Sequence, residues 1–110
     1  MTAPATPFVT SLRVGHPPIR LGAEGAPTIP IRVQVAEAWD AVLIDAPSTE
    51  TVLAVKVAAI AALAPGTDQR DYVIKLRGFE VLDEQLTLAQ AGAVEASIFL
   101  VTRRRRRPVR

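Results

Sequence analysis

The stretch IRVQVAEAWDAVLIDAPSTETVLAVK, residues 31–56, decides the fold of this chain. Ile31, Val33 and Val35 alternate with Arg32 and Gln34, the period of two expected of a strand that lays one face on a core. A turn around Glu37, Trp39 and Asp40 follows, and Ala41 to Asp45 reads as the second strand of a hairpin. Pro47 stops that strand, and Ser48, Thr49 or Thr51 is available as a helix N-cap. From Glu50 to Ala64 the chain is rich in Ala, Leu and Val and meets no proline until Pro65-Gly66. One helix of about four turns is therefore expected.

Working outward from this core, Tyr72 to Arg77 reads as a third strand closed by Gly78, and Phe79 to Leu82 as a short fourth. Asp83, Glu84 and Gln85 turn into Leu86 to Gly92, a single-turn segment. Ala96 to Thr102 is the last strand, in which Ile98 and Leu100 alternate with Phe99 and Val101. Towards the N-terminus, residues 1–28 form an arm rich in Pro and Gly, a composition poor in regular structure. Phe8, Val9, Leu12, Val14, Ile19 and Leu21 make two apolar runs around Gly15 to Pro18, so the arm is expected to add a short hairpin or to lie across the body. The divisions read as an arm (1–28), a folded domain (29–102) and a tail (103–110).

The 110 residues carry 13 Lys and Arg against 11 Asp and Glu, a net charge of +2 that hides a strong partition. Residues 29–102 hold five basic and ten acidic side chains, and residues 103–110 hold six arginines. One domain with one modest core is expected at this length. The absence of cysteine removes disulfide frameworks and Cys-based zinc sites and fits a reducing compartment. The first residues lack a basic and an apolar region of a secretory signal, and the longest apolar run, Val52 to Ala64, is shorter than the roughly 20 residues that span a bilayer. The expected location is cytoplasmic.

With these elements in this order, residues 29–103 resemble ubiquitin and its relatives. Pro47-Ser48 followed by Thr51-Val52-Leu53-Ala54-Val55-Lys56 looks like the family's strand end and helix start. Tyr72 to Gly78 looks like its third strand and turn, and Thr87-Leu88, Gly92 to Val94 and Ser97 to Val101 look like its C-terminal third. The resemblance implies an α+β, β-grasp (ubiquitin-like) fold: a mixed sheet of four to five strands packed on one helix, with first and last strands parallel and an N-terminal extension. Ubiquitin-type modifiers end in Gly-Gly, whereas this chain reads Arg107-Pro108-Val109-Arg110 and has no Gly-Gly pair. Among relatives lacking that ending, it is similar in size to small bacterial members: the YukD-like proteins of type VII secretion and the ubiquitin-fold subunits of multicomponent monooxygenases.

Catalytic chemistry finds little support in the residues. His16, the only histidine, sits in a Gly-His-Pro-Pro turn with no orienting carboxylate in sequence. No phosphate-cradling or nucleophile-elbow motif occurs. The pairs Asp83 and Glu84, Asp68 and Asp71, and Asp40 and Asp45 lie in expected turns or strand ends, where carboxylates are ordinarily solvated. The reading is a non-enzymatic protein with no metal, no cofactor and no small-molecule substrate.

Three surfaces stand out instead. The helix carries Val52, Val55, Ala59 and Leu63 on one stripe for the sheet, and a second stripe of Leu53, Val57 and Ile60 beside it, with Lys56 the one polar side chain between Thr51 and Ala64. A helix apolar all round is normally buried, so the second stripe is expected to be covered by the N-terminal arm or by a protein partner. The resemblance places a partner-binding patch on the exposed sheet face near Trp39, Lys75 and Val101, with Phe99 beside Val101. Arg103, Arg104, Arg105, Arg106 and Arg107 suit an acidic partner or an anionic surface. The leading functional expectation is a protein-protein interaction module or adaptor in a larger, secretion-related assembly. The alternatives are a covalent modifier after C-terminal processing and an electrostatic nucleic-acid or membrane-surface binder.

Overall fold

A computed structural model of the 110-residue chain describes residues 16–104. Its strands are β1 (Ile19–Arg20), β2 (Ile29–Val35), β3 (Asp40–Ala46), β4 (Tyr72–Leu76), β5 (Phe79–Glu80) and β6 (Ile98–Arg103). The helices are α1 (Val52–Leu63) and the one-turn α2 (Leu88–Ala91). The strands form one mixed sheet in the order β1-β3-β2-β6-β4-β5.

The hairpin of β2 and β3 pairs Val33 with Val42 and Ile31 with Ile44. Its alternation sends Ile31, Val33, Val35, Val42 and Ile44 into the core and leaves Arg32, Gln34 and Leu43 outside. Between the strands a 3-10 turn, Ala36–Ala38, ends at Trp39, whose φ of 56° is left-handed. The last strand, β6, runs parallel to β2, with Phe99 opposite Val33 and Val101 opposite Val35, the pairing of first and last strands that the resemblance implied.

Thr51 caps α1, accepting a hydrogen bond on Oγ1 from the Ala54 N–H at 3.1 Å. The amides of Val52 and Leu53, which have no partner within the helix, donate to the carbonyls of Leu86 and Glu84. The helix thus starts against the segment that follows β5. Val52, Val55 and Ala59 press on the sheet as expected. Ile60, expected on the second, coverable stripe, is instead a core residue, buried with them. The helix turns about 100° per residue, so Ile60 directly follows Ala59 on the wide stripe that a single helix lays on a sheet.

Lys56 shares this buried side at 1% exposure. Its Nζ donates to the Tyr72 carbonyl at 2.7 Å and to Glu84 Oε2 at 2.9 Å. Glu84, read as an ordinary solvated turn residue, is therefore the counterion of the helix's one charge.

The sheet has six strands rather than four or five because the arm supplies β1. Ile19 and Arg20 pair in parallel with Ile44 and Asp45 on the outer edge of β3, and the Leu21 N–H donates to the Asp45 carbonyl at 2.8 Å. Gly22 then turns the chain with a φ of +87°, and a Cβ there would meet Pro47 Cγ at 2.5 Å. Ile19 and Leu21 pack against the core.

Removing one partner of a buried ion pair strands the other's charge. Glu84→Ala is expected to cost about 3 kcal/mol, read as a lowered urea midpoint. The double variant Lys56→Met with Glu84→Leu should recover most of the loss, because it strands no charge. A single variant within about 0.5 kcal/mol of wild type, the usual range of surface changes, would show that the pair does not hold the helix.

Candidate functional site

With the helix on one side of the sheet, the other side is open, and its residues follow from the strand register. Arg32 of β2 lies between Leu43 of β3 and Ile98 of β6. The next row runs Ala41, Gln34, Leu100, Lys75 and Glu80. Leu43 is 49% exposed, Ile98 54% and Trp39, at the hairpin end of the same face, 93%. An open groove of about 620 Å³ lies at this end, lined by residues that include Arg32, Gln34, Trp39, Asp40, Ala41 and Leu100.

Of the residues expected on this face, Trp39 and Lys75 are there. Phe99 and Val101 are not: both are fully buried in the core. The correction is a one-residue change of phase, which in a strand exchanges the faces. Every residue from Ile98 to Val101 is apolar, so alternation alone does not choose, and the parallel register with β2 turns Phe99 and Val101 inward beside Val33 and Val35. Their neighbours Ile98 and Leu100 take the outer positions. Leu43, Ile98 and Leu100 were the face residues that sequence reasoning missed. For Leu43 the signal was its place opposite polar Arg32 in the hairpin.

The helix stripe divides in the same way. Ile60 is buried, Leu53 is half-buried and Val57 is 43% exposed. Val57 lines a smaller hollow of about 260 Å³ with Ala61, Pro65, Gly66 and others. The arm residues Phe8, Val9, Leu12 and Val14, expected to cover this stripe, lie outside the described residues.

Both chain extensions meet the turn that carries Trp39. His16 Nε2 lies 3.1 Å from Asp40 Oδ2, so the histidine with no orienting carboxylate near it in sequence has one in the fold, 24 positions away. On the other side, Glu37 accepts hydrogen bonds from the Thr102 hydroxyl at 2.9 Å and from the Arg103 N–H at 3.2 Å. Arg103 places its guanidinium 5.4 Å from the centre of the Tyr72 ring, within cation-π range. The Arg104 N–H donates to the Asp71 carbonyl at 2.8 Å. The first two arginines thus belong to the folded body, while Arg105, Arg106 and Arg107 lie outside the described residues.

Loss of water around Glu37 works against its charge, yet the Arg103 N–H, the Thr102 hydroxyl and the Arg103 charge together outweigh this. They hold the carboxyl below its ordinary value of 4.5. Among the described residues no cluster of three or more His, Cys, Asp or Glu is placed to hold a metal, and no helix is long and apolar enough to cross a membrane. The outer face offers apolar contact area, one indole and scattered polar groups.

No family model matches the sequence, and no curated protein does. Solved structures do match. A ubiquitin-like domain of an Arabidopsis thaliana protein is 19% identical over 81% of this chain and 90% of that domain, with a TM-score of 0.61. Ubiquitin of Caldiarchaeum subterraneum is 18% identical over 72% of this chain and 96% of its own length, TM-score 0.61. A ubiquitin-like protein of Trypanosoma brucei is 29% identical over 73% of this chain and 99% of its own, TM-score 0.59. The chain has the ubiquitin-like β-grasp fold.

Because Glu37's folded pKa is depressed, its contribution to stability is present above 4.5 and is lost as pH falls through the lower folded value. The Arg103 amide resonance should titrate with a midpoint below 4.5, and Glu37→Gln should abolish that titration. A midpoint at or above 4.5 would mean that Glu37 does not hold the root of the tail.

Proposed function

We propose that this chain is a non-enzymatic interaction module, an adaptor that joins a larger assembly by binding another protein on the outer face of its sheet. The observation that carries this reading is Trp39, 93% exposed at the hairpin end of the face on which Leu43 and Ile98 are also exposed, while the opposite face is packed into the core along β2, β3, β4 and β6. Tryptophan and arginine anchors are the side chains most enriched at the energetic centres of interfaces, and Trp39 stands with Arg32 on one groove. Several solved structures of this fold are ubiquitin-like domains of longer proteins, as in the mouse tubulin-specific chaperone e, which suits a module rather than a self-sufficient enzyme. The small bacterial relatives named above make a secretion assembly our first choice of setting.

The arginine tail supports a secondary contact with an acidic partner. Arg103 and Arg104 are exposed on the body, and the Arg103 N–H is held by Glu37 of the turn that carries Trp39, so the tail leaves the body next to that turn. Such a contact steers association and weakens with salt. A covalent-modifier role remains the competing class, and lysine-linked adducts found by mass spectrometry would establish it.

The reading is tested by capture from extracts of the source cells, with folding checked by circular dichroism. Trp39→Ala and the pair Leu43→Asp with Ile98→Asp should each reduce recovery of a specific partner at least tenfold, while Val57→Asp on the helix leaves recovery intact. The opposite pattern would move the interface to the helix. A second measurement addresses the tail: replacing Arg103 to Arg107 with serine should flatten the salt dependence of capture, and unchanged salt dependence would exclude the tail from the contact.

A further inference from the structure

A six-stranded sheet has two edges, and this chain finishes them differently. At one edge, β1 is preceded by Pro17 and Pro18, which have no N–H to offer a further strand, and the Arg20 guanidinium is tied to the Ala26 carbonyl at 2.9 Å. Proline and charge are the usual means of keeping an edge from pairing. At the other edge, β5 and the residues after it read Phe79-Glu80-Val81-Leu82, with neither proline nor lysine. Phe79 is 78% exposed and Leu82 84%.

The register shows which backbone groups of this edge are free. Leu76 and Phe79 close the hairpin around Arg77 and Gly78, whose φ values of 55° and 83° are left-handed. The Val81 N–H donates to the Ile74 carbonyl at 2.9 Å. Bonded and non-bonded pairs alternate along antiparallel strands. Glu80, between the bonded positions, therefore points its N–H and C=O away from β4, and Leu82 follows in the same phase. Beside the edge, between β5 and α2, is an open hollow of about 510 Å³, lined by Phe79 and Leu82 with Leu76, Leu86, Glu80 and Asp83 among others. Neither of these carboxylates has an ion-pair partner among the described residues. Arg77, the one cation among the lining residues, donates to the Gly92 carbonyl at 3.1 Å.

We propose that the free edge of β5 is a second docking site, distinct from the Trp39 face, and that it takes an extended segment of another protein as a seventh strand. Glu80 and Leu82 supply main-chain hydrogen bonds, alternate apolar side chains of the segment fill the hollow, and a lysine or arginine on it meets Glu80 and Asp83. In strand addition the main chain gives affinity and the alternate side chains give selectivity. A second copy of this chain fits less well. The symmetric register centred on Glu80 sets two carboxylates opposite each other, which is destabilising, and four edge residues fall far short of the roughly 20–30 per side of a stable interface. The edge site stands on its own geometry and does not depend on the Trp39 reading. An open edge beside an open face gives one small domain two places to bind, which is what joining two proteins requires.

The probe is a library of random nine-residue peptides displayed on phage and selected on the immobilised full-length chain. Selected peptides should alternate apolar residues with Lys or Arg, and their binding should slow hydrogen exchange of the Glu80 and Leu82 amides in the ¹⁵N-labelled chain. N-methylation of a selected peptide at every second residue should abolish binding in one phase and spare it in the other, a pattern that side-chain docking alone does not produce. Phe79→Lys with Leu82→Lys, both at exposed positions, should weaken binding at least tenfold, whereas Trp39→Ala should leave it unchanged. The proposal is overturned by a selection that yields no such peptide or yields acidic ones. It is overturned too by peptides whose binding shifts the amides of Leu43 and Ile98 and leaves those of Glu80 and Leu82 unmoved. Protection of the Glu80 amide that grows with protein concentration in the chain alone would make a second copy the occupant and overturn it equally.

Discussion

The rest of the structure depends on where Lys56 puts its ammonium group. A helix of twelve residues that is apolar on nearly every side has no hydrophobic reason to prefer one face for the core. Burial of Val52, Val55 and Ala59 would be about as favourable as burial of Leu53, Val57 and Ala61. The single charged side chain breaks the tie. With its stem among the core residues, Lys56 reaches the Tyr72 carbonyl and the Glu84 carboxylate at once, and a rotation that carried Lys56 out to solvent would lose both. Buried pairs contribute little net stability against an apolar replacement. Here the pair supplies orientation, which apolar burial in this helix cannot.

That orientation propagates through the loop that carries Glu84. The carbonyls of Glu84 and Leu86 receive the first amides of the helix, and the amide of Leu88 returns a bond to the Glu50 carbonyl. Thr87 then opens the one-turn helix with a capping box shared with Gln90, and the chain leaves through left-handed Gly92 into the approach to β6. The helix start, the crossing segment and the last strand are thereby set against one another. With one helix to cover it, the sheet is packed on one side only, a state antiparallel and mixed sheets tolerate when the free side is polar. This free side is only partly polar, since Arg32, Gln34 and Lys75 alternate across it with Leu43, Ile98 and Leu100. The exposed apolar area is a consequence of layer number, and which side chains carry it is a property of this sequence.

What could be read in advance divides along the same physical line. The hairpin was legible because Ile31, Val33 and Val35 contrast with Arg32 and Gln34, and the helix ends were legible from Thr51 and from Pro65-Gly66. The last strand was recognisable as a strand but not in phase, because Ile98 to Val101 are apolar on both faces and only pairing with β2 chooses between them. Trp39 and Lys75 were placed on the outer face by the resemblance to ubiquitin relatives rather than by local pattern. The Lys56 and Glu84 pair joins residues 28 positions apart, and the His16 and Asp40 pair residues 24 apart. Local pattern carries no information about such contacts. Strand β1 is two residues long between Pro18 and Gly22 and takes its form from the edge of β3, so its own composition does not announce it.

The division of charge acquires a structural sense at the turn between β2 and β3. Glu37 holds the start of the arginine tail through the Arg103 N–H, and Asp40 holds the end of the N-terminal arm through His16. The two acidic side chains flank Trp39 in sequence, so both extensions of the domain depart from the place where its most exposed apolar side chain stands. This convergence follows from topology: β6 is parallel to β2 and runs on past its end, while β1 is parallel to β3, so the chain before β1 runs back toward the start of β3, where His16 meets Asp40. Any protein laid on Trp39 therefore meets the root of the arm on one flank and the root of the basic tail on the other. The net charge of the whole chain conceals what matters for such a contact, which is an acidic turn fixing the origins of an apolar segment and a basic one at opposite sides of a single indole.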